Sequence, residues 1–420
     1  MPLASPRQHL VAEDLARQTA HWIAAARMFR DAEEFASVEA WRSVESEVGL
    51  PLRNMLGATV EELLALGKAT AELVARARRH TEALRPAAIA VQRFRRRYSQ
   101  VEVTLEFFGD AVNSRTSAPL RAALTSLDRL ATASMSAPLV EAKAPVPPVL
   151  TYVDKGMGAS ILQAGVRLWA PGTTNPVAAI KIVRHNLYRP TSLFHETGHQ
   201  VAHLTKWTGS MREAIARTFA DDSELRAMWT PWTSEIAADT FAFLHTGYAS
   251  VAALYDVVGD ARSILRWPVG DPHPIGWLRT LLGCAFARRA FGMPGPWEAL
   301  EEAMIASYPP ANADPTVGSL LVRSRARLPE LAAACLDAPV PALGGRPMTR
   351  VLDPARVSPA ALADLEQTAG PALWTSPHWR RTEGIRLVAL AGLREAERPD
   401  TAREWINRAR TWMTSEPLAA

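Results

Sequence analysis

The sequence predicts a mainly α (α+β) protein, with a core of one small antiparallel sheet and a motif-bearing helix between helical N- and C-terminal regions. Two observations predict it. Apolar residues recur at three- and four-residue spacings over most of the chain, whereas short β-branched runs occur only between 149 and 183. The 420 residues are 48% hydrophobic and 21% charged, which allows a sizeable core and excludes a disordered composition. The expected organisation is an N-terminal helical region over 1–137, a Pro-rich linker over 138–148, a central domain over 149–335 and a C-terminal helical region over 336–420.

Taken in order, residues 10–48 carry Leu15, Trp22, Ile23, Phe29, Phe35, Val38 and Trp41 at helical spacings, and Gly49-Leu50-Pro51 interrupts them. Thr59-Val60-Glu61-Glu62 has the form of a capping box and opens a helix to about residue 84, which Pro86 breaks or restarts. Arg93-Phe94-Arg95-Arg96-Arg97-Tyr98 is the densest charge run; a short run of this kind reads as a solvated helix face before it reads as a phosphate contact. A helix is expected over 118–133. The prolines from Pro138 to Pro148 then cannot continue it and read as a stiff linker.

Strands are expected at 149–153, 165–169 and 177–183, the last two flanking a turn-rich stretch as a hairpin. Pro190-Thr191-Ser192 caps a helix that runs to about Trp207 and stops near Gly209. Thr230-Pro231 starts another, ended by Gly247, and a shorter one follows to Val258. Pro274 starts the helix of Trp277, Leu278, Leu281 and Leu282. Beyond Gly292 the pattern is helical, broken by proline pairs and clusters, and 380–415 reads as a helical hairpin around Arg398-Pro399-Asp400.

A formal charge of +4 is small for this length and does not argue for nucleic acid, so none is expected as a partner. Cys284 and Cys335 sit in apolar helical surroundings and read as reduced core residues. The N-terminus has no signal-peptide pattern, and no apolar run reaches the roughly 18–20 residues of a membrane span. The expectation is a cytoplasmic protein with no membrane span, export by a route without a cleavable signal being left open.

The chemistry is concentrated at His195-Glu196-Thr197-Gly198-His199, an H-E-x-x-H pattern. Four residues make just over one helical turn, so His195 and His199 project from one face and can share a zinc ion. Glu196, on the flank of that face, can take the proton from a water attacking a carbonyl. Gly198 costs roughly 1 kcal/mol of helix propensity against alanine, which is understandable if a strand, a substrate or the metal shell approaches closely.

A catalytic zinc site needs a third protein ligand. His203 is about 12 Å along the axis from His195, too far to share an ion with it. The longer H-E-x-x-H-x-x-G-x-x-H pattern would require histidine where Thr205 stands. The better candidate is Glu235, with Asp239 one turn later to accept the N–H of a ligating histidine. Trp232, Ile236, Ala237, Phe241 and Phe243 surround the pair, so it is expected to be partly buried and to require a compensating cation.

With these motifs the chain resembles the gluzincin zinc peptidases, specifically the branch of CAAX prenyl proteases and HtpX-like peptidases. That branch writes its downstream glutamate as E-x-x-A-D, which Glu235-Ile236-Ala237-Ala238-Asp239 matches. It often carries a later His-Pro with an arginine six residues after the histidine, as in His273-Pro274 and Arg279. The resemblance covers about residues 145–290. It implies a zincin-like metallopeptidase core holding one Zn2+ per chain through His195, His199 and Glu235. Glu196 would be the general base and Asp239 the support of a ligating histidine. His273 would be a candidate oxyanion donor, with Arg279 near the site; Tyr248 and Tyr255 are further oxyanion candidates. The expected substrate is a peptide or protein. The rival expectation is a helical adaptor or effector carrying a vestigial or non-peptidase zinc site, against which the intact Glu196 counts.

Overall fold

Strong helix formers in long periodic runs give eighteen α-helices and a single three-stranded sheet among the residues described, 6–166, 174–267 and 270–415. The mainly α expectation therefore holds. The computed structural model divides into two units, one of residues 1–121 with 164–177 and the other of 122–163 with 178–420.

In the first unit, α1 (Pro6–Met28), α3 (Leu50–Ala77) and α4 (Leu84–Asn113) bury a shared apolar seam that includes Leu15, Val74, Ala87 and Val91, and the short α2 (Val38–Arg42) buries Ala40 and Trp41. α3 begins at Leu50, so Gly49-Leu50-Pro51 does not break the chain's helicity. Pro51 lies in the first turn, where its missing N–H costs nothing. Thr59 is mid-helix instead of a cap, its hydroxyl donating to the Met55 carbonyl at 2.9 Å. The arginine run falls on α4, where Phe94 is buried, Arg95 lies over the Trp22 ring, and Arg93, Arg95 and Arg96 are exposed. The expected 165–169 strand falls largely on 167–169, outside the described residues; Gly165 and Asn175 pair by their backbones at 2.8 Å.

In the second unit, α5 (Ala118–Glu141) leads into β1 (Val149–Val153), β2 (Ser160–Leu162) and β3 (Ala178–Ile182). The sheet order is β1-β3-β2. The expected antiparallel sheet is in fact mixed: β2 runs antiparallel to β3, but β1 pairs with β3 in parallel, Val149 opposite Ala178 through Val153 opposite Ile182. The long connection between β1 and β3 permits that crossover, which a tight hairpin would not. Asp128 on α5 fixes β1 by accepting from the Thr151 amide at 2.7 Å and hydroxyl at 2.8 Å.

Pro138 lies inside α5, so the helix continues four residues into the expected linker. Proline leaves the carbonyl four residues earlier without its helical donor. That carbonyl, Ser134 O, is taken up instead by His245 Nε2 at 3.1 Å.

The helices that build the site follow. They are α6 (Thr191–Leu204), α7 (Trp207–Thr218), α8 (Ser223–Trp229), α9 (Thr233–Thr246), α10 (Tyr248–Val258) and α11 (Gly276–Phe291). α6 stops at Leu204 instead of running on towards Gly209, because Lys206 takes a left-handed conformation, φ 58°, that no α-helix can continue through. The chain then forms α12 (Pro296–Ser307), α13 (Pro315–Leu336), α14 (Pro359–Ala369), α15 (Ala372–Thr375) and α16 (Pro377–Thr382). The expected terminal hairpin is α17 (Gly384–Glu397) and α18 (Ala402–Thr414). It belongs to the same unit as the motif helices: a Cβ on Gly392 of α17 would lie 2.8 Å from that of Ala249 on α10. Both cysteines are buried and unpaired. Among the described residues no helix is long and apolar enough to cross a membrane.

Candidate metal centre

The site is assembled by two helices lying close along one another. A Cβ placed on Gly198 of α6 would come within 2.9 Å of the Ala238 Cα and the Phe241 Cβ on α9. Only glycine allows that approach. The neighbour for which Gly198 leaves room is thus the helix that carries Glu235 and Asp239, and not a strand, a substrate or a metal shell.

At this contact His195 and His199 turn their Nε2 atoms towards each other at 3.1 Å. Glu235 faces both, Oε2 to His195 Nε2 and Oε1 to His199 Nε2, each at 3.3 Å. One donor atom from each of the three residues lies within 4.8 Å of the others, so the group can hold a metal ion. Asp239 accepts from His195 Nδ1 at 2.8 Å, and Ser234 lies 3.2 Å from His199 Nδ1. Each imidazole is thereby oriented with Nε2 inward. Sequence reasoning missed Ser234, although its place beside Glu235 was a usable signal.

The compensating cation is Arg279 on α11. It grips Asp239 in a two-pronged contact, Nε to Oδ2 at 2.6 Å and an Nη to Oδ1 at 2.8 Å, and reaches Glu235 at 3.3 Å. Its side chain is 8% exposed and its guanidinium is held by the two carboxylates, so Arg279 supports the site from behind. Burial alone would lower its pKa, but Asp239 raises it. Burial alone would raise Asp239, yet Arg279 and His195 hold it at about 2. Burial would likewise raise Glu235, and the hydrogen bonds from both histidines take it well below the usual carboxylate range. His195, which burial would lower, is raised to about 10 by Asp239.

Glu196 is buried, and burial pushes its carboxyl up against the opposing pull of the two histidines. Tyr152 on β1, not anticipated from sequence, has its phenol raised to about 12 by burial, with the charges of Asp154 and then Glu196 adding to it.

No family model, curated protein or solved structure matches this chain.

The remaining sequence candidates separate. His273 reaches the centre, its Nε2 3.5 Å from Glu235 Oε2, while its Nδ1 and backbone amide are both held by Asp271. Tyr248 is turned elsewhere: its hydroxyl donates to the Pro296 carbonyl at 3.3 Å, and its ring packs beside Trp297. Tyr255 pairs with Tyr308. His203 is exposed, about two turns along α6 from His195 and outside the cluster.

His195, Glu196 and His273 border a cavity of about 960 Å3. Val251 and Leu254 of α10 with Leu282 and Phe286 of α11 form its apolar wall, and Gly158 and Ala159, just before β2, form part of another. Asn186 also lines it. Its Nδ2 lies 3.3 Å from the Ser192 hydroxyl, but its buried Oδ1 has no partner among the described residues.

Proposed function

We propose that this chain is a zinc-dependent metallopeptidase of the gluzincin type, with a zincin-like core akin to the CAAX prenyl protease and HtpX-like peptidases. The observation that carries the reading is the convergence of His195, His199 and Glu235 beside a buried Glu196 at the edge of a large cavity. Two imidazoles and one carboxylate suit zinc, a borderline ion that takes nitrogen and oxygen donors and keeps a fourth position open in catalytic sites. Bound there, zinc would supply Lewis acidity to the scissile carbonyl and to the attacking water.

The chain's own residues do the rest. Glu196 takes the proton of the attacking water and returns it to the leaving amine; burial, which pushes its carboxyl up, makes it the stronger base for the first of these transfers. His273 donates to the oxyanion, with Asp271 steadying its ring. The apolar wall takes an apolar side chain beside the scissile bond. β2 is an edge strand, with Gly158 and Ala159 on the cavity, so an extended peptide can pair along it.

The test is metal analysis joined to cleavage of an unbiased peptide library, comparing the wild type with Glu196→Gln. The wild type is expected to hold one zinc and cleave. The variant should keep the zinc and lose cleavage by about 10²–10⁴-fold, the range for removing a general base. Zinc-loaded wild type that cleaves no library peptide would overturn the peptidase reading and favour an adaptor with a vestigial site.

A further inference from the structure

A second cavity in the same unit, about 470 Å3, is unrelated to the metal centre, and none of the three ligands lines it. Its wall carries Arg129, Arg356, Arg380, Arg381 and Arg386 against two carboxylates, Asp353 and Glu383, an excess of three positive charges. The carboxylates are already engaged. Glu383 receives Arg386 at 3.1 Å and Arg356 at 3.4 Å, and Asp353 caps the Ala355 amide at 2.9 Å. Arg386 is pinned further by the carbonyls of Arg356 and Ala361, both at 2.9 Å.

Arg129, Arg380 and Arg381 are left without a carboxylate in ion-pair range among the described residues. Arg380 is partly buried, and among the described residues its side chain makes one hydrogen bond, a long 3.4 Å contact to the Ser415 carbonyl. Its pKa is lowered by burial and by the Arg129 charge beside it. Arg380 is half-buried and Arg129 exposed on the same concave wall; two like charges facing one space repel each other, and an anion between them removes the repulsion. Leu130, Leu244 and Trp412 supply an apolar lining to the same space.

We propose that this cavity binds a small phosphorylated molecule, with its phosphate between Arg129 and Arg380 and its apolar part towards Trp412. The guanidinium fork matches phosphate oxygens in pairs, and a phosphate brings up to two charges to a site lacking three. The volume lies in the range of small-ligand pockets.

The test is calorimetric titration of the full chain with inorganic pyrophosphate at fixed ionic strength. Saturable one-site binding is expected, with orthophosphate competing and citrate failing to compete. Arg129→Gln/Arg380→Gln should weaken binding at least tenfold without lowering the ligand-free Tm. The single variant Arg381→Gln, at an exposed position, should weaken it by a smaller factor. The His199→Ala variant should bind pyrophosphate as the wild type does, which separates this cavity from any metal at the other site. The proposal is overturned if pyrophosphate does not saturate, if the double variant binds as the wild type does, if citrate competes equally, or if His199→Ala abolishes the binding.

Discussion

Without the Glu235 carboxylate, the two Nε2 atoms 3.1 Å apart would face each other with no anion between them, and a metal would keep only two protein donors. Glu235→Ala is therefore expected to leave purified protein without stoichiometric zinc, as is His199→Ala. Asp239→Asn should act more weakly, lowering zinc affinity by about 10–100-fold in a chelator competition, because Asp239 orients His195 instead of binding the ion. Wild-type affinity in Asp239→Asn would show that the His195 Nδ1 contact does not tune the site.

Helix pairing decides whether those residues meet at all. At Gly198, alanine would gain about 1 kcal/mol of helix propensity, but its methyl would meet α9 backbone at 2.9 Å. Overpacking against backbone typically costs about 1–3 kcal/mol, so the contact outweighs the propensity. Gly198→Ala should lower stability in urea and, by moving α9 along α6, weaken zinc binding. A variant that is unchanged in both measurements would refute the close-contact argument. The same contrast explains what could be read in the sequence. The spacings within one helix, His195 to His199 and Glu235 to Asp239, follow from the helical period alone and were legible. The burial of the acidic pair and its need for a cation were legible from the aromatic residues around it, and the structure supplies that cation as Arg279. What was not legible depended on partners distant in sequence. Tyr248 points to Pro296, Pro138 is tolerated because His245 reaches Ser134, and β1 pairs with β3 in parallel across a long connection. No local pattern encodes any of these.

Across the second unit, single side chains tie distant stretches of chain to the motif helix. Arg189, just ahead of α6, pairs with Asp256 on α10 and, at 2.8 Å, with Glu395 on α17, so the terminal hairpin supports the N-terminal end of the motif helix. His245 makes a comparable tie between α9 and α5, and it carries a pH dependence for the unit as a whole. Burial lowers its pKa from about 6.5 to about 4, so the folded protein holds it neutral, donating from Nε2 to the Ser134 carbonyl. Between pH 4 and 6.5 the unfolded chain binds a proton here that the folded chain does not, so stability rises with pH across that window. The contribution is complete above pH 6.5 and is lost as the pH falls through the folded value near 4. A difference of about 2.5 pKa units corresponds to about 3 kcal/mol. His245→Gln retains an N–H donor of similar reach and cannot titrate. Denaturation midpoints measured from pH 7 down to pH 4 should therefore fall more steeply for the wild type than for the variant, shifting the comparison by about 3 kcal/mol in the variant's favour at the acid end. A gap between the two proteins that stays constant with pH would mean that His245 is not the neutral donor sustaining α5 through Pro138.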